Sequence, residues 1–199
     1  DIDGLTVLYA GHSFGIPFAQ NLTKLAEFSG IEGHNQRIVF RGGENGVPQA
    51  MWKNPTVKSE IKKNLDDGNV DVVILICCSE ELIESRGQND QAIVEIIEYA
   101  LSKNTETKFG LAMPWIDFPN NYKDPSFSVG FDRLAKICTK YNFPLSIFVV
   151  GKDLKDPENA AKVKEWSDQG HEIGNHTWSH HFNLACLNQS KIRDEVLSS

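Results

Sequence analysis

Three features of many proteins are missing from this chain of 199 residues. No window approaches eighteen unbroken apolar residues, which excludes a transmembrane helix. The N-terminus lacks a basic region followed by an apolar stretch, so no signal peptide is visible and a cytoplasmic location is favoured for the chain as given. The first residue is not Met, which suggests that the chain begins inside a longer protein.

Positive charge is also in short supply. The 20 Lys and Arg residues are outnumbered by 27 Asp and Glu residues, which gives a net charge of −7. Because a phosphate backbone attracts a basic surface, this balance argues against a nucleic-acid partner. It says little about a neutral sugar partner, and the sequence does not indicate an oligomeric state.

Cysteine is scarce, and its placement does not predict a disulfide framework. Cys77 and Cys78 are adjacent in an apolar run, where neighbouring side chains of a strand point to opposite faces and cannot share a metal. We interpret these two residues, together with Cys138 and Cys186, as buried thiols that act as small hydrophobic groups. This usage favours a reducing compartment.

Apolar segments of strand length alternate with segments of helical period along the first 120 residues. The predicted strands are Leu5–Ala10, Arg37–Phe40, Asp71–Cys77 and Lys108–Trp115, and the predicted helices are 17–29, 48–66 and 92–101. In the first helix the apolar positions are Phe18, Leu22, Leu25 and Phe28. The βαβαβαβ order predicts an α/β domain over residues 1–120, with a doubly wound, flavodoxin-like parallel sheet and functional loops at the strand C-termini.

A turn-rich stretch with Pro114, Pro119 and Pro125 follows and predicts a domain junction. The alternation then resumes in a second predicted domain, residues 121–199. Its predicted helices are 129–141, 159–168 and 189–197, and its predicted strands are 145–150 and 171–174. Asn188 is expected to cap the last helix.

Two histidines lie four positions apart in the segment GHEIGNHTWSH, residues 170–180. His176 and His180 can each offer an imidazole nitrogen to one divalent metal. The segment resembles the H-[ST]-x-x-H motif of the NodB-type polysaccharide deacetylases, and the LSIFVVG strand at 145–151 is similar to that family's ATFFVVG strand. The similarity continues through His180–Leu184 and Ile192–Glu195 and covers residues 124–199.

This resemblance implies part of a (β/α) barrel that hydrolyses acyl groups, such as acetyl, on a carbohydrate by means of a metal-activated water. It implies a divalent metal, zinc for preference, bound by His176, His180 and Asp124, with Asp124 also among the catalytic residues. Lys123 stands where the family places its general base, and a charged lysine cannot abstract a proton. The chain also ends before the family's later motifs, so the catalytic set is incomplete. His171 and His181 are interpreted as non-ligands, with His171 hydrogen-bonded locally.

The turn after the first predicted strand carries a serine in the segment YAGHSFG, residues 9–15. Backbone N–H groups at the start of a helix can stabilise an oxyanion beside such a serine. Residues 5–120 resemble the SGNH hydrolases, although His12 stands where that family usually has Asp. The resemblance implies Ser13 as nucleophile, Gly43 in the oxyanion hole and Asn89 as the asparagine of the third block. No Asp-x-x-His block supplies a base for the serine.

Simpler interpretations of the same residues stay open. The segment 11–15 also fits a tight turn between a strand and a helix, and Asn89 or Asp90 fits a helix cap. Three functions are therefore compatible with the sequence. They are a metal-dependent carbohydrate deacetylase, an SGNH-type serine esterase, and an inactive fragment or carbohydrate-binding module whose grooves are lined by Trp115 and Trp178.

Overall fold

The computed structural model describes residues 3–13, 15–76, 90–112, 125–181 and 183–198, with the side chains of 125–132 left out. Contacts divide the chain into two compact units, Asp1–Ile137 and Cys138–Ser199. The predicted domain boundary between residues 120 and 121 lies outside the described residues. None of the helices in the described ranges has the length and apolar character that a membrane crossing needs.

The first unit alternates strands and helices. Its strands are β1 (Thr6–Gly11), β2 (Asn35–Phe40), β3 (Val72–Ile76) and β4 (Lys108–Ala112). Its helices are α1 (Ile16–Phe28), a 3-10 helix (Gly43–Gly46), α2 (Pro48–Lys53), α3 (Pro55–Leu65) and α4 (Gln91–Lys103), and α5 (Pro125–Lys140) continues past its end.

The four strands form one sheet in the order β2-β1-β3-β4, and every neighbouring pair is parallel. After β1 the chain forms β2 on one side of that strand. It then crosses back and forms β3 on the other side of β1. A switch of this kind opens a crevice at the carboxyl ends of β1 and β3. Fully buried Leu8, Val39, Val73 and Leu75 fill the core of the sheet. The prediction of an α/β fold with a parallel sheet is confirmed.

Helix α1 forms where it was predicted, but three of its four predicted apolar positions do not lie on its buried face. Phe18, Leu25 and Phe28 are 72%, 53% and 89% exposed, whereas Ala19 and Ala26 are buried. Ala19 belongs to a small core cluster with Tyr9 and Ile76. The small alanine side chains let the helix backbone approach the sheet closely, so the apolar periodicity predicted the helix but not its orientation.

The predicted helix 48–66 is wrong as a single element, because it breaks into α2 and α3 at Asn54. The residue before a proline is disfavoured in the helical region, and Asn54 is extended, with φ −80° and ψ 115°. The Asn54 side chain then caps α3 by accepting hydrogen bonds from the N–H groups of Thr56 and Val57 at 3.1 and 3.2 Å. Pro55 suits the first position of α3, because the N–H that it lacks would have no partner inside the helix.

The second unit is built on a parallel pair of strands, β5 (Ser146–Val149) and β6 (Glu172–Asn175). Its helices are a 3-10 helix (Gly151–Lys155), α6 (Pro157–Asp168), a second 3-10 helix (Leu184–Cys186) and α7 (Gln189–Leu197). The predicted cap of the last helix is confirmed, because Asn188 Oδ1 accepts a hydrogen bond from the Lys191 N–H at 3.0 Å. In both units, candidate site residues thus lie just after a strand: Ser13 follows β1, and His176 follows β6.

The interpretation of the cysteines is confirmed in one case and wrong in another. Cys138 is fully buried, and burial raises the pKa of its thiol to about 12, so it packs as a small neutral group. Cys186 is exposed, as its 3-10 helix has no buried residue, so the interpretation is wrong for this cysteine. Cys77 and Cys78 lie outside the described residues.

Candidate functional site

The histidine pair lies in a loop that follows directly from β6. The His176 N–H donates a hydrogen bond of 2.9 Å to the Val149 carbonyl oxygen and so extends the ladder between β5 and β6 by one residue. The backbone then adopts left-handed conformations at Thr177 (φ 65°) and at His180 (φ 53°). Such values are uncommon for residues other than glycine and need support from neighbouring groups. The loop brings the imidazole rings of His176 and His180 together, with centroids 4.7 Å apart and planes inclined by 38°.

Side chains within the loop provide part of that support. Asn175 Oδ1 accepts a hydrogen bond from the Thr177 N–H at 2.7 Å, and Thr177 Oγ1 accepts one from the His180 N–H at 3.1 Å. Short polar side chains favour such local turns because they replace a missing backbone partner. Thr177 therefore bonds directly to the backbone of the second histidine.

Two neighbouring segments hold the loop from outside. The 3-10 helix after β5 donates backbone hydrogen bonds from Gly151 to the Thr177 carbonyl at 3.0 Å and from Lys152 to the Trp178 carbonyl at 2.8 Å. On α7, the Glu195 carbonyl accepts from the Trp178 N–H at 2.6 Å. The Glu195 carboxylate accepts from the Ser179 N–H at 2.8 Å and from the Ser179 hydroxyl at 2.7 Å. These bonds from the Ser179 hydroxyl and N–H lower the pKa of Glu195 from its ordinary value.

The surroundings of His176 favour its neutral form. Burial lowers the pKa of His176, and the neighbouring His180 lowers it further. A neutral imidazole has a free lone pair, whereas a protonated one must release its proton before it can bind a metal. The local electrostatics therefore keep this ring ready to act as a ligand near neutral pH.

The geometry of the pair suits a shared metal ion. Two imidazole nitrogens on one tetrahedral zinc, each at about 2.0–2.1 Å, place the ring centroids about 5 Å apart, close to the 4.7 Å observed. In the described ranges, no group of three or more His, Cys, Asp and Glu side chains could hold a metal. Asp124, the predicted third ligand, lies outside those ranges. The two histidines thus fit a metal as a partial ligand set.

The two remaining histidines of this segment have partners of their own. His171 is only 9% exposed, and its Nδ1 accepts a hydrogen bond of 3.2 Å from the Leu145 N–H, so its partner lies 26 positions away in the chain and is not the local one that was predicted. The Nδ1 atom of His181 accepts from the Asn183 N–H at 3.2 Å. A hydrogen bond to the backbone therefore explains the position of each side chain without a metal.

Trp178, the predicted sugar contact, projects from the same loop and is half-buried. The Lys155 ammonium lies 4.9 Å from the centroid of a Trp178 ring, a cation–π distance. Since the ammonium covers one face of the indole, a sugar must stack on the opposite face or displace the lysine. Trp115, the other tryptophan assigned to a sugar groove, lies outside the described residues.

The predicted serine site sits at the carboxyl end of β1, beside the switch in strand order. Ser13 is exposed in the turn that leads into α1. Below the turn, the Tyr9 hydroxyl donates a hydrogen bond of 2.5 Å to the His12 carbonyl oxygen and accepts one from the Gly15 N–H. Burial lowers the pKa of His12 and raises that of Tyr9, so both are neutral near pH 7. A methyl group on Gly15 would lie 2.7 Å from the Tyr9 ring, which explains the glycine.

The predicted oxyanion glycine lies in the neighbouring glycine-rich loop. Gly43 is exposed and begins the 3-10 helix with φ +53°. The residue of this loop that contacts the serine turn is Gly46, since a Cβ there would lie 2.6 Å from the Cβ of His12. Sequence reasoning missed Gly46, although the three glycines of the segment 42–46 were a visible signal of close packing.

The predicted third block is only partly described. Asn89 lies outside the described residues. Asp90 stands at the N-cap of α4, which agrees with the interpretation of this segment as a helix start, but its side chain makes no capping bond. Its carboxylate pairs instead with the Arg133 guanidinium. Burial raises the pKa of Asp90, and the charge of Arg133 opposes that shift.

A surface cavity of about 350 Å³ lies elsewhere in the first unit, between the end of α1 and the segment 30–34. Its lining includes Glu27, Glu32 and His34 and none of the predicted site residues. Shape alone therefore does not locate the chemistry that the sequence predicts.

Comparison with known proteins gives one match. Residues 119–199 match the family model described as polysaccharide deacetylase. No curated protein and no solved structure gives a significant match to the chain. The family match supports a NodB-type deacetylase segment, and no match bears on the SGNH-like segment before it.

Proposed function

We propose that the chain is a metal-dependent carbohydrate deacetylase whose metal is held by His176 and His180. The observation that carries this proposal is the approach of the two imidazole rings to 4.7 Å within the segment that matches the polysaccharide deacetylases. Burial and the neighbouring His180 lower the pKa of His176. The imidazole is therefore neutral, and able to bind a metal, near pH 7. Asp124 is the sequence-based choice for the third ligand.

A divalent metal in this position supplies Lewis acidity and lowers the pKa of a bound water toward neutrality. The contribution of the protein is to fix the ligands. His176 extends the strand ladder, and the backbone of His180 is held through Thr177 Oγ1, so the two ring centroids lie 4.7 Å apart without a bound ion. Trp178, in the same loop, offers an apolar ring face for a sugar. Since Lys123 cannot act as a base while charged, proton transfer falls to a group that the sequence does not identify.

Zinc titration by calorimetry tests the ligand assignment. The metal-free protein and the His176→Ala, His180→Ala and Asp124→Ala variants are compared at neutral pH. Each substitution should weaken zinc binding strongly, because it removes a direct ligand. His181→Ala is the matched control, since that imidazole follows His180 directly and has a different partner, and it should bind zinc like the parent protein.

Two results would reject the ligand assignment. One is unchanged zinc affinity in both His176→Ala and His180→Ala. The other is an equal loss in His181→Ala. If the ligand assignment survives, release of acetate from an acetylated sugar polymer, with and without chelator, tests the reaction itself. Binding of the polymer without turnover and without metal dependence would favour a carbohydrate-binding module instead.

A second candidate function is a serine esterase centred on Ser13. Its support is the exposed hydroxyl at the carboxyl end of β1, at the switch in strand order where ligands of parallel sheets bind. Labelling by an active-site-directed phosphonate should then be lost in Ser13→Ala and retained in the control Ser29→Ala, where another serine lies at the far end of α1. Equal labelling of the two variants would reject this candidate.

A further inference from the structure

We propose that Glu195 is a positioning residue that holds His180 opposite His176 by fixing Ser179. This inference rests on the proposed function, in which the two histidines bind a metal. It adds a residue on α7, fifteen positions beyond the second histidine, for which the metal-binding motif assigns no role. The effect acts through the loop backbone, so Glu195 itself is not a ligand.

The loop needs support because its backbone is strained at two places. Thr177 is β-branched and has φ 65°, and His180 has φ 53°. Residues of this kind leave the left-handed region readily unless their surroundings hold them there. If His180 relaxed to the ordinary helical or extended region, its ring would turn away from His176. The convergence of the rings therefore depends on the bonds that restrain the loop.

The two histidines are restrained differently. His176 is held by the strand ladder, through the hydrogen bond from its N–H to the Val149 carbonyl. His180 lies beyond the ladder and follows Ser179. Both donors of Ser179, the N–H and the hydroxyl, bond to the carboxylate of Glu195 at 2.8 and 2.7 Å. Glu195 is therefore a direct restraint on the residue that precedes the second histidine.

Glu195 is the side chain to vary, because most other bonds that reach the loop from outside come from main-chain groups, and the Lys152 ammonium adds a longer bond of 3.4 Å to the Ser179 carbonyl oxygen. Gly151 and Lys152 donate backbone N–H groups to the carbonyls of Thr177 and Trp178. The Glu195 carbonyl accepts from the Trp178 N–H, and that bond survives substitution of the side chain. A change at Glu195 should thus release Ser179 and, through it, His180, while His176 stays in place on the strand ladder.

The test measures zinc affinity and the ring signals of the histidines in the metal-free protein by NMR. Glu195→Ala should weaken zinc binding by about 10- to 100-fold, the usual effect of losing a group that orients a ligand. It should shift the His180 ring signals more than those of His176. Glu195→Gln should recover most of the affinity, because its amide can accept from the Ser179 N–H and donate to the Ser179 hydroxyl.

Asp194→Ala is the matched control, since this neighbouring acidic residue of α7 is exposed. It should leave both the affinity and the ring signals unchanged. Ser179→Ala provides a second variant if Glu195→Ala does not fold. In the double variant, Ser179→Ala should add little to the effect of Glu195→Ala, because Glu195→Ala already removes the bond from the Ser179 hydroxyl.

The outcomes separate this inference from the proposed function. Zinc affinity unchanged in both Glu195→Ala and Ser179→Ala, but lost in His176→Ala, would overturn the role of Glu195 and leave the metal site intact. If zinc binds nowhere in the chain, the proposed function fails. The His180 signals of the metal-free variants then decide the positioning role, which is rejected if Glu195→Ala and Asp194→Ala give the same spectrum as the parent.

Discussion

Gly46 packs directly against His12. A methyl group on Gly46 would lie 2.6 Å from the Cβ of His12 and 2.4 Å from the carbonyl oxygen of Arg41. The loop after β2 is thereby pressed against the turn that carries Ser13. Because backbone atoms cannot move aside as a flexible side chain can, this contact tolerates only glycine.

Gly46→Ala should therefore destabilise the protein by about 1–3 kcal/mol, the usual cost of forcing extra atoms into a packed site. Gly42→Ala is the matched control in the same loop, since it has open space around it and φ −72° suits alanine. The control should be neutral or more stable by about 0.4–1 kcal/mol. Urea-induced unfolding measures both. Equal stability of the two variants would contradict the close contact.

The hydroxyl of Tyr9 supports the serine turn from below. Tyr9→Phe keeps the ring but removes the bonds to the His12 carbonyl and from the Gly15 N–H. We expect a loss of about 1–2 kcal/mol, because two half-buried backbone groups lose their partner. Urea-induced unfolding checks the stability. If Ser13 is a nucleophile, its labelling by a phosphonate should also become slower. A variant as stable as the parent would show that water replaces the hydroxyl.

Asn54 ends one helix and begins the next. Asn54→Ala removes the two capping bonds to Thr56 and Val57 and should cost about 1 kcal/mol. Asn21→Ala is the comparison, because Asn21 is exposed within α1 and should change stability by less than about 0.5 kcal/mol. Thermal unfolding followed by circular dichroism distinguishes the two. A smaller loss at Asn54 than at Asn21 would refute the capping role.

The ion pair of Arg37 and Asp67 predicts a dependence of stability on pH. Hydrogen bonds from the Arg37 guanidinium and the Asn69 N–H lower the pKa of Asp67 from 3.8 to about 2. A carboxyl group with a lowered folded-state pKa stabilises the protein above the unfolded-state pKa, and this contribution decreases as the pH falls from about 4 and is lost below about 2. The Asp67 carboxyl is well exposed, so the contribution is below about 1 kcal/mol.

Asp67→Asn should therefore be less stable than the parent at pH 6, and the difference should shrink as the pH falls from about 4 and be lost below about pH 2. Urea-induced unfolding at several pH values measures this difference. Arg37→Gln removes the partner of the carboxylate. When Asp67→Asn is introduced into the Arg37→Gln variant, its effect on stability should therefore depend much less on pH. A difference that is constant from pH 6 to pH 2 would refute the ion pair as its cause.

Much of the fold was predictable because it depends on local patterns. Apolar runs of strand length predicted β1 and β3, and their alternation with helices predicted a parallel sheet. Asn188 was predicted as a cap from its place before a helical segment, and the structure confirms it. The break at Asn54 was also visible in the sequence, since Pro55 follows it and disfavours the helical conformation of the residue before it.

The candidate site was predictable only in part. The spacing of His176 and His180 indicated a shared metal, and the structure brings the two rings together. The same spacing gave no information on Glu195, whose bonds to Ser179 span 16 positions of sequence. Gly46 and His12 are likewise far apart in the chain. The path of the folded backbone decides which of these distant residues come into contact. The spacing of residues in the sequence does not specify that path.

The sequence by itself determined the order of strands and helices and the residue types that carry the chemistry. Only the tertiary structure decided that α1 buries its alanines while Phe18 and Phe28 stay exposed, and that α7 reaches back to hold the histidine loop. The physical reason is the range of the forces involved. Propensities, caps and apolar periods act between near neighbours, whereas close packing and hydrogen bonds between distant segments exist only after the chain has folded.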